Sequence, residues 1–316
     1  MRKFLYRIIV MATALLGVVG CETVVDFRGD YTESLPVLNA LVVPGEPVKV
    51  TYSRSVFILS DKAPSAITTG TVEMYINDKF AEQLQLAEEY YADGAVRGYY
   101  YMSTRIPVAG DKVTIRARCG EFPEWVSGTA VIPVPASLGE IDLQALESLE
   151  EGRITVSVSV GISDPAGVQN YYLLKGSMKP SESLDNPYYG DGIYFSYTDI
   201  AFRESKGEGV LEELLEMEGN YVVFDDGIID GKEDYRLMME SEFGERQLKN
   251  GPIYEVVCYQ IDENYFKYLR SVQVAGNMAM FGEPVQIHTN VEGGIGIVAA
   301  RSTVEVRHKK HFDVFE

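Results

Sequence analysis

Between Leu35 and Pro135 the chain is cut into short β-rich runs: "VLNALVV", "PVKVTYS", "GTVEMYIN", "KFAEQLQL", "GYYYMST", "KVTIRAR" and "GTAVIPV". Alternation with period two places successive side chains on opposite faces of a strand, so each run can bury one face and wet the other. Turn chemistry separates the runs at Pro44-Gly45, Asn77-Asp78, Asp93-Gly94 and Gly110-Asp111. Closely spaced strands of this kind predict an immunoglobulin-like β-sandwich over residues 35–136. Trp125 is the one tryptophan of the chain, so the Cys-Trp-Cys core of antibody domains is missing.

"VIPVPASLGEIDLQALESLEEG" carries prolines and then acids, and reads as a domain boundary near residue 137. Beyond it "RITVSVSVG" alternates again, opening a second β-rich domain over 137–316. Its further strands are expected at "NYYLLKG", "GIYFSYT", "NYVVF", "PIYEVVCYQI", "PVQIHTN", "IGIVAA" and "STVEVR". One or two packing helices are expected among them. "GVLEELLEMEGN" aligns Leu211, Leu214 and Leu215 before Gly219, and "IDENYFKYLRSVQVAGN" starts on Asp262 as N-cap. The expected fold class is therefore mainly β: a sandwich followed by a second β-rich domain.

Ahead of both lies "MRKFLYRIIVMATALLGVVGC", with Arg2, Lys3 and Arg7 preceding an apolar run too short to span a bilayer. That is the build of a secretory signal peptide. Val18-Val19-Gly20-Cys21 resembles the lipobox of bacterial lipoproteins, which implies removal of residues 1–20 and lipidation of Cys21. Residues 21–34 then form a lipidated tether. Several acyl chains hold a protein on a membrane where one binds only marginally, so the membrane is the first expected partner, through the lipid on Cys21.

Removing residues 1–20 leaves 25 basic against 47 acidic residues, a net charge of −22. Such a surface repels phosphate backbones and argues against nucleic acid. It also gains nothing from anionic lipid, which leaves the anchoring to Cys21. Cys119 and Cys258 each read as small apolar core residues; the competing reading, a disulfide, would have to bridge the two domains.

No cofactor and no metal site is expected. His288, His308 and His311 fall near the carboxyl end without HExxH or paired CxxC spacing. "DDGIIDGKEDY" places Asp226, Asp230 and Gly231 at calcium-loop positions 1, 5 and 6, but Ile228 and Leu237 stand where further ligands belong. G-x-S-x-G is absent, and "EGGIGIVAARS" lacks the residues of a phosphate-binding loop. Its glycines are expected to let a strand turn tightly or pass close to another backbone. Tyrosine is abundant, 21 against one tryptophan, and doublets such as Tyr90-Tyr91 and Tyr171-Tyr172 should put one ring on each face of a strand. Exposed rings of this kind suit a protein or glycan contact.

The lipobox, "PVLNALVVPGEPVKVTYSRS", "SDPAGVQNYYLL", "FDDGIIDGKEDYRL", "DENYFKYLRS" and "FGEPVQIHTNVEGGIGIVAARS" together resemble a Bacteroidota outer-membrane lipoprotein family known as a domain of unknown function, the 4249 family. The most specific elements are Asp-Pro…Asn-Tyr-Tyr at 164–172 and Pro-Val…Asn-x-x-x-Gly-x-Gly at 284–296. The resemblance implies a mostly β lipoprotein of the outer membrane, facing either the periplasm or the cell surface, often found beside TonB-dependent receptors. It supplies no catalytic residues. The expected function is a non-enzymatic accessory or binding partner of an outer-membrane β-barrel receptor, with a glycan or peptide as candidate ligand. The alternatives are a surface glycan- or peptide-degrading enzyme, or an adhesin or fimbrial subunit.

Overall fold

A computed structural model describes residues 34–56, 63–147, 153–179, 193–204, 221–244, 252–278, 286–303 and 305–310. The chain is mainly β, as its alternation predicts. Eight strands come first: β1 (Pro36–Val42), β2 (Lys49–Arg54), β3 (Thr71–Ile76), β4 (Lys79–Gln83), β5 (Gln85–Tyr90), β6 (Val96–Met102), β7 (Lys112–Arg118) and β8 (Val126–Val131). The second half holds β9 (Ser137–Glu147), β10 (Arg153–Ser163), β11 (Tyr171–Lys179), β12 (Ile193–Tyr194), β13 (Ser196–Tyr197), β14 (Val222–Asp225), β15 (Tyr235–Gly244), β16 (Ile253–Ile261), β17 (Ile295–Ala300) and β18 (Glu305–Lys310).

In the first sandwich β17-β1-β2-β6-β5 faces β4-β3-β7-β8. Leu38, Val50 and Tyr52 from one sheet and Met74, Ile115 and Val126 from the other fill the space between them. The turns form where glycine and asparagine allow: Asn77 and Asp78 both take positive φ, the pattern of a type I′ hairpin, and Gly45, Gly94 and Gly110 follow suit. "KFAEQLQL" is not one strand. It divides at Leu84, which is buried, so that β4 stays in one sheet and β5 crosses to the other. "GIYFSYT" divides in the same way at buried Phe195, between β12 and β13. In both cases the alternating run continues while the hydrogen-bonding partner changes.

The second sandwich sets β13-β15-β10-β9 against β12-β11-β16-β18, with β14 also paired to β11. Val156, Val158, Val160 and Ile162 of β10 point into a core shared with Tyr172, Leu174, Tyr254 and Val256. The Arg307 guanidinium donates to Leu138 O from Nη2 (2.6 Å) and Nε (3.1 Å), tying β18 to β9. A 16-residue helix, Glu263–Met278, covers the other face of β11 and β16 with Phe266 and Leu269, which pack on Leu173, Val223 and Ile261. Burying each of those two helix side chains contributes about 1.5–3 kcal/mol. A five-residue helix, Ile200–Glu204, is the other described helix. The helix expected at "GVLEELLEMEGN" lies outside the described residues.

β9, an eleven-residue strand whose Leu138 and Ile141 are buried, begins at Ser137 inside the proline- and acid-bearing stretch. Two expectations are corrected. Gln286–Asn290 of "PVQIHTN" is not a strand. "IGIVAA", expected in the second domain, is β17, and it runs parallel to β1 in the first sandwich from Val37↔Ile295 to Val42↔Ala300.

The glycines of "EGGIGIVAA" explain how β17 reaches its place. Gly296 has φ +120°, and a Cβ there would stand 2.3 Å from Leu38 O. Asn290 completes the docking: its Nδ2 donates to Thr129 O (2.9 Å) and Val298 O (2.8 Å), and its Oδ1 accepts from the Val298 N–H (2.9 Å). A side-chain amide thus substitutes for a backbone partner between β17 and β8. Gly296→Ala forces a strained φ and a backbone collision together, so it should destabilise the protein by about 2 kcal/mol or more. Urea unfolding followed by Trp125 fluorescence would measure this, and an unchanged midpoint would contradict the close approach.

Candidate functional site at the junction of the two sandwiches

The residues that join the sandwiches are those where β16 runs into the long helix. Asp262 caps that helix as the sequence predicts, its Oδ1 accepting from the Tyr265 N–H (3.1 Å). The same Oδ1 accepts from the Ala300 N–H (3.0 Å) at the end of β17, and the Asp262 N–H donates back to Ala300 O (3.0 Å). Around this pair, Ser302 and Gln260 exchange bonds of 2.8 and 3.0 Å, and the Arg301 N–H donates to Val42 O (3.0 Å). The Arg301 guanidinium lies 4.4 Å from the Tyr259 ring centre. One short segment, Ala300–Ser302, is therefore bonded to both sandwiches. Burial pushes the Asp262 carboxyl up to about 7 against the lowering from the N–H groups of Ala300 and Tyr265.

Next to the joint is a node built from "SDPAGVQNYY" and "FDDGIIDG". Asn170 is its centre: Nδ2 donates to Asp164 Oδ1 (3.1 Å) and Val168 O (2.8 Å), its N–H donates to Asp226 Oδ2 (2.6 Å), and its Oδ1 accepts from Gln260 Nε2. The Tyr172 hydroxyl donates to Asp164, and Gln169 Nε2 donates to Asp226. Asp230 accepts from the Gly167 N–H (2.7 Å). Burial raises the Asp226 carboxyl, the Asn170 N–H opposes that rise, and the charges of Asp164, Asp225 and Asp230 add to it.

Asp164, Asp226 and Asp230 each bring a carboxylate oxygen within 4.8 Å of the others. By charge and ligand type such a trio suits a hard cation. The two buried members, Asp164 and Asp226, are already satisfied by N–H and O–H donors, which offset the cost of placing like charges together. The calcium-loop reading found two of these residues; Asp164, from a different loop, had no signal in that spacing.

A cleft of about 930 Å³ opens beside the node. Exposed Val131, Val134 and Val168 form apolar wall, and Asn170, Gln260 and Asp262 lie along its polar side. Those polar groups are bonded to one another or across the joint, so they hold the two sandwiches in register. Glu263, also on the cleft, forms an i,i+4 salt bridge with Lys267 (2.6 Å).

The remaining candidates are separate. Cys119 and Cys258 are free thiols, and burial followed by the Glu305 charge pushes Cys258 up to about 12, which makes it inert as a nucleophile. His288 bonds Asn264 at 3.2 Å, His308 pairs with Glu255 at 2.9 Å, and His311 lies outside the described residues. Tyr171-Tyr172 splits as expected for a strand, Tyr172 buried and Tyr171 half-buried, and Tyr101 is buried beside half-buried Tyr100, whereas Tyr90 and Tyr91 are both exposed. Cys21 and the residues before it lie outside the described residues.

Asp262 gives the joint a pH dependence whose sign follows from its raised value. Between about 4 and about 7 the folded protein keeps a proton that the unfolded chain has released, so stability falls as pH rises through that window and levels above it. Asp262→Asn retains an oxygen for both N–H donors and should flatten the slope, leaving the smaller share due to Asp226. Melting temperature measured from pH 4 to 8 tests this; an identical slope in both proteins would refute the role of Asp262.

No curated protein matches the chain. The sequence profile of the domain of unknown function DUF4249 matches residues 22–307. That span takes in the first sandwich, the second up to the middle of β18, the Asp164–Tyr172 node and the returning strand β17, and the chain belongs to the DUF4249 family.

Proposed function

We propose that this chain is a non-enzymatic outer-membrane lipoprotein that serves as an accessory or binding partner of an outer-membrane β-barrel receptor of the TonB-dependent class. The observation that carries the reading is at the amino end. A signal-peptide pattern terminates on Cys21, and the family match begins at residue 22. A lipid on Cys21 leaves residues 21–34 as a tether, reaching at most about 50 Å when extended. That length keeps the folded body within contact distance of a membrane-embedded partner.

The chemistry of the body supports binding over catalysis. Among the described residues, the carboxylates and amides from Asp164 to Asp262 are spent on internal hydrogen bonds, the Asn170 node within the second sandwich and Asp262 across the joint. A rigid pair of sandwiches carried on a short tether is a docking module. The net charge of −22 disfavours anionic lipid, so the anchor and the partner must supply the membrane attachment.

Cys21→Ser should move the protein from the membrane pellet to the soluble fraction, and the wild-type protein, purified through a tag in mild detergent, should bring a barrel protein with it. A mutant that still sediments with membranes would overturn the anchor. Recovery of the wild-type protein with no barrel would overturn the partner.

A further inference from the structure

Outside the joint, one surface assembles recognition chemistry that the fold does not use. It is the solvent face of the sheet β4-β3-β7-β8. Arg116 and Arg118 stand two residues apart on β7 and so share this face. Both guanidiniums lie against the ring of Trp125, at 4.5 and 4.4 Å from its centre. Arg116 also reaches Tyr75, at 5.7 Å from the ring and 3.5 Å from the hydroxyl. Tyr75 in turn meets exposed Phe80 edge to face, with ring centres 5.6 Å apart. The result is a continuous row: Phe80, Tyr75, Arg116, Trp125, Arg118.

In a chain with 47 acidic residues, these two arginines form no salt bridge among the described residues. Glu73 is directly across from Arg116 in the strand register, yet its carboxylate accepts instead from the Tyr75 hydroxyl (2.9 Å). Nearby Glu121 is taken by Arg54 (2.6 Å). The arginines are thus held by a ring rather than neutralised by an acid. Contact with the ring positions both guanidiniums; Arg116 spends one N–H on the Tyr75 hydroxyl, and the other N–H groups of the pair can donate to a ligand.

We propose that this row is a binding site for an acidic sugar, with one guanidinium of Arg116 and Arg118 taking the carboxylate and the exposed aromatic rings taking the pyranose face. Two N–H donors per guanidinium match the two oxygens of a carboxylate. Exposed Phe80 and half-buried Tyr75 supply rigid apolar surface beside it, and Thr114 and Thr129, whose hydroxyls are 2.8 Å apart, add polar contacts on the same face. The position on the sheet selects against a peptide. β7 is an interior strand with β3 and β8 on its two sides, so an extended peptide has no free edge to join here and would have to bind through side chains alone. The site is independent of the proposed docking role and of Cys21.

The test is titration of the soluble mature protein with a galacturonic acid trimer, a neutral maltotriose and a glutamic acid tripeptide, followed by calorimetry and Trp125 fluorescence. The acidic trimer should bind and perturb Trp125, maltotriose should bind at least tenfold more weakly, and the tripeptide more weakly than the acidic trimer. Arg116→Gln/Arg118→Gln should weaken acidic-trimer binding at least tenfold while Arg116→Lys/Arg118→Lys, which keeps the charge but loses the paired donors, should be intermediate. Unchanged melting temperatures would separate lost binding from lost folding. No binding by the wild-type protein, equal binding of tripeptide and acidic trimer, or a folded glutamine variant that binds as wild type would each overturn the proposal.

Discussion

The parallel pairing of β1 with β17 is the constraint on which the rest of the structure depends. It joins residues 258 apart in sequence, as in the bond from the Ile297 N–H to Asn39 Oδ1 (3.0 Å). Without β17 the first sandwich would lose one flank of its larger sheet, and Val298 and Ala300 would leave its core. Closing so long a loop costs little more than closing a short one: each doubling of length adds about 0.6 kcal/mol. Full burial of Val298 by itself contributes about 1.5–3 kcal/mol, so the returning strand is favourable despite its distance. The kinetic consequence is that the first sandwich cannot be completed until nearly the whole chain is available.

That constraint accounts for the two sequence elements that most distinguish the chain. The Asn-x-x-x-Gly-x-Gly element supplies Asn290, which bridges β17 to β8, and Gly296, which admits β17 against the Leu38 carbonyl. The Asp-Pro…Asn-Tyr-Tyr element supplies Asp164, Asn170 and Tyr172, which lock one loop of the second sandwich beside the joint. Both are architectural devices. The acidic-sugar site we propose takes its arginines and aromatic rings from outside both elements.

Much of this was legible in the residues, for physical reasons that also set the limit. Alternation in "KVTIRAR" and "RITVSVSVG" marks strands because a one-sided core imposes period two, and Asp262 before "ENYF" marks a helix start because its carboxylate satisfies a free N–H. Alternation carries no information about the partner strand. Hence "IGIVAA" could be read as a strand but not as a neighbour of β1, and "KFAEQLQL" could not show that its pairing changes at Leu84. "PVQIHTN" has the composition of a strand, whereas its Asn290 pairs through the side chain. The acids of "SLGEIDLQALE" disguised β9, whose buried side is carried by Leu138 and Ile141 with a register shift opposite Gly161. The node was half visible: Asp226 and Asp230 stand at calcium-loop spacing, but Asp164 and Asn170 arrive from another loop. The second role of Asp262, holding Ala300, depends on a tertiary contact that no local pattern encodes.

The central claim is that the first sandwich is finished by a strand from the far end of the chain. A mature chain ended at Met278 removes β17 while leaving every residue from Pro36 to Val131 in place. Trp125, the single tryptophan, sits in that sandwich and reports on it alone. The account predicts that in the shortened chain Trp125 fluorescence is that of an unfolded protein or melts far below the full-length protein. A Trp125 transition at the full-length midpoint would contradict it.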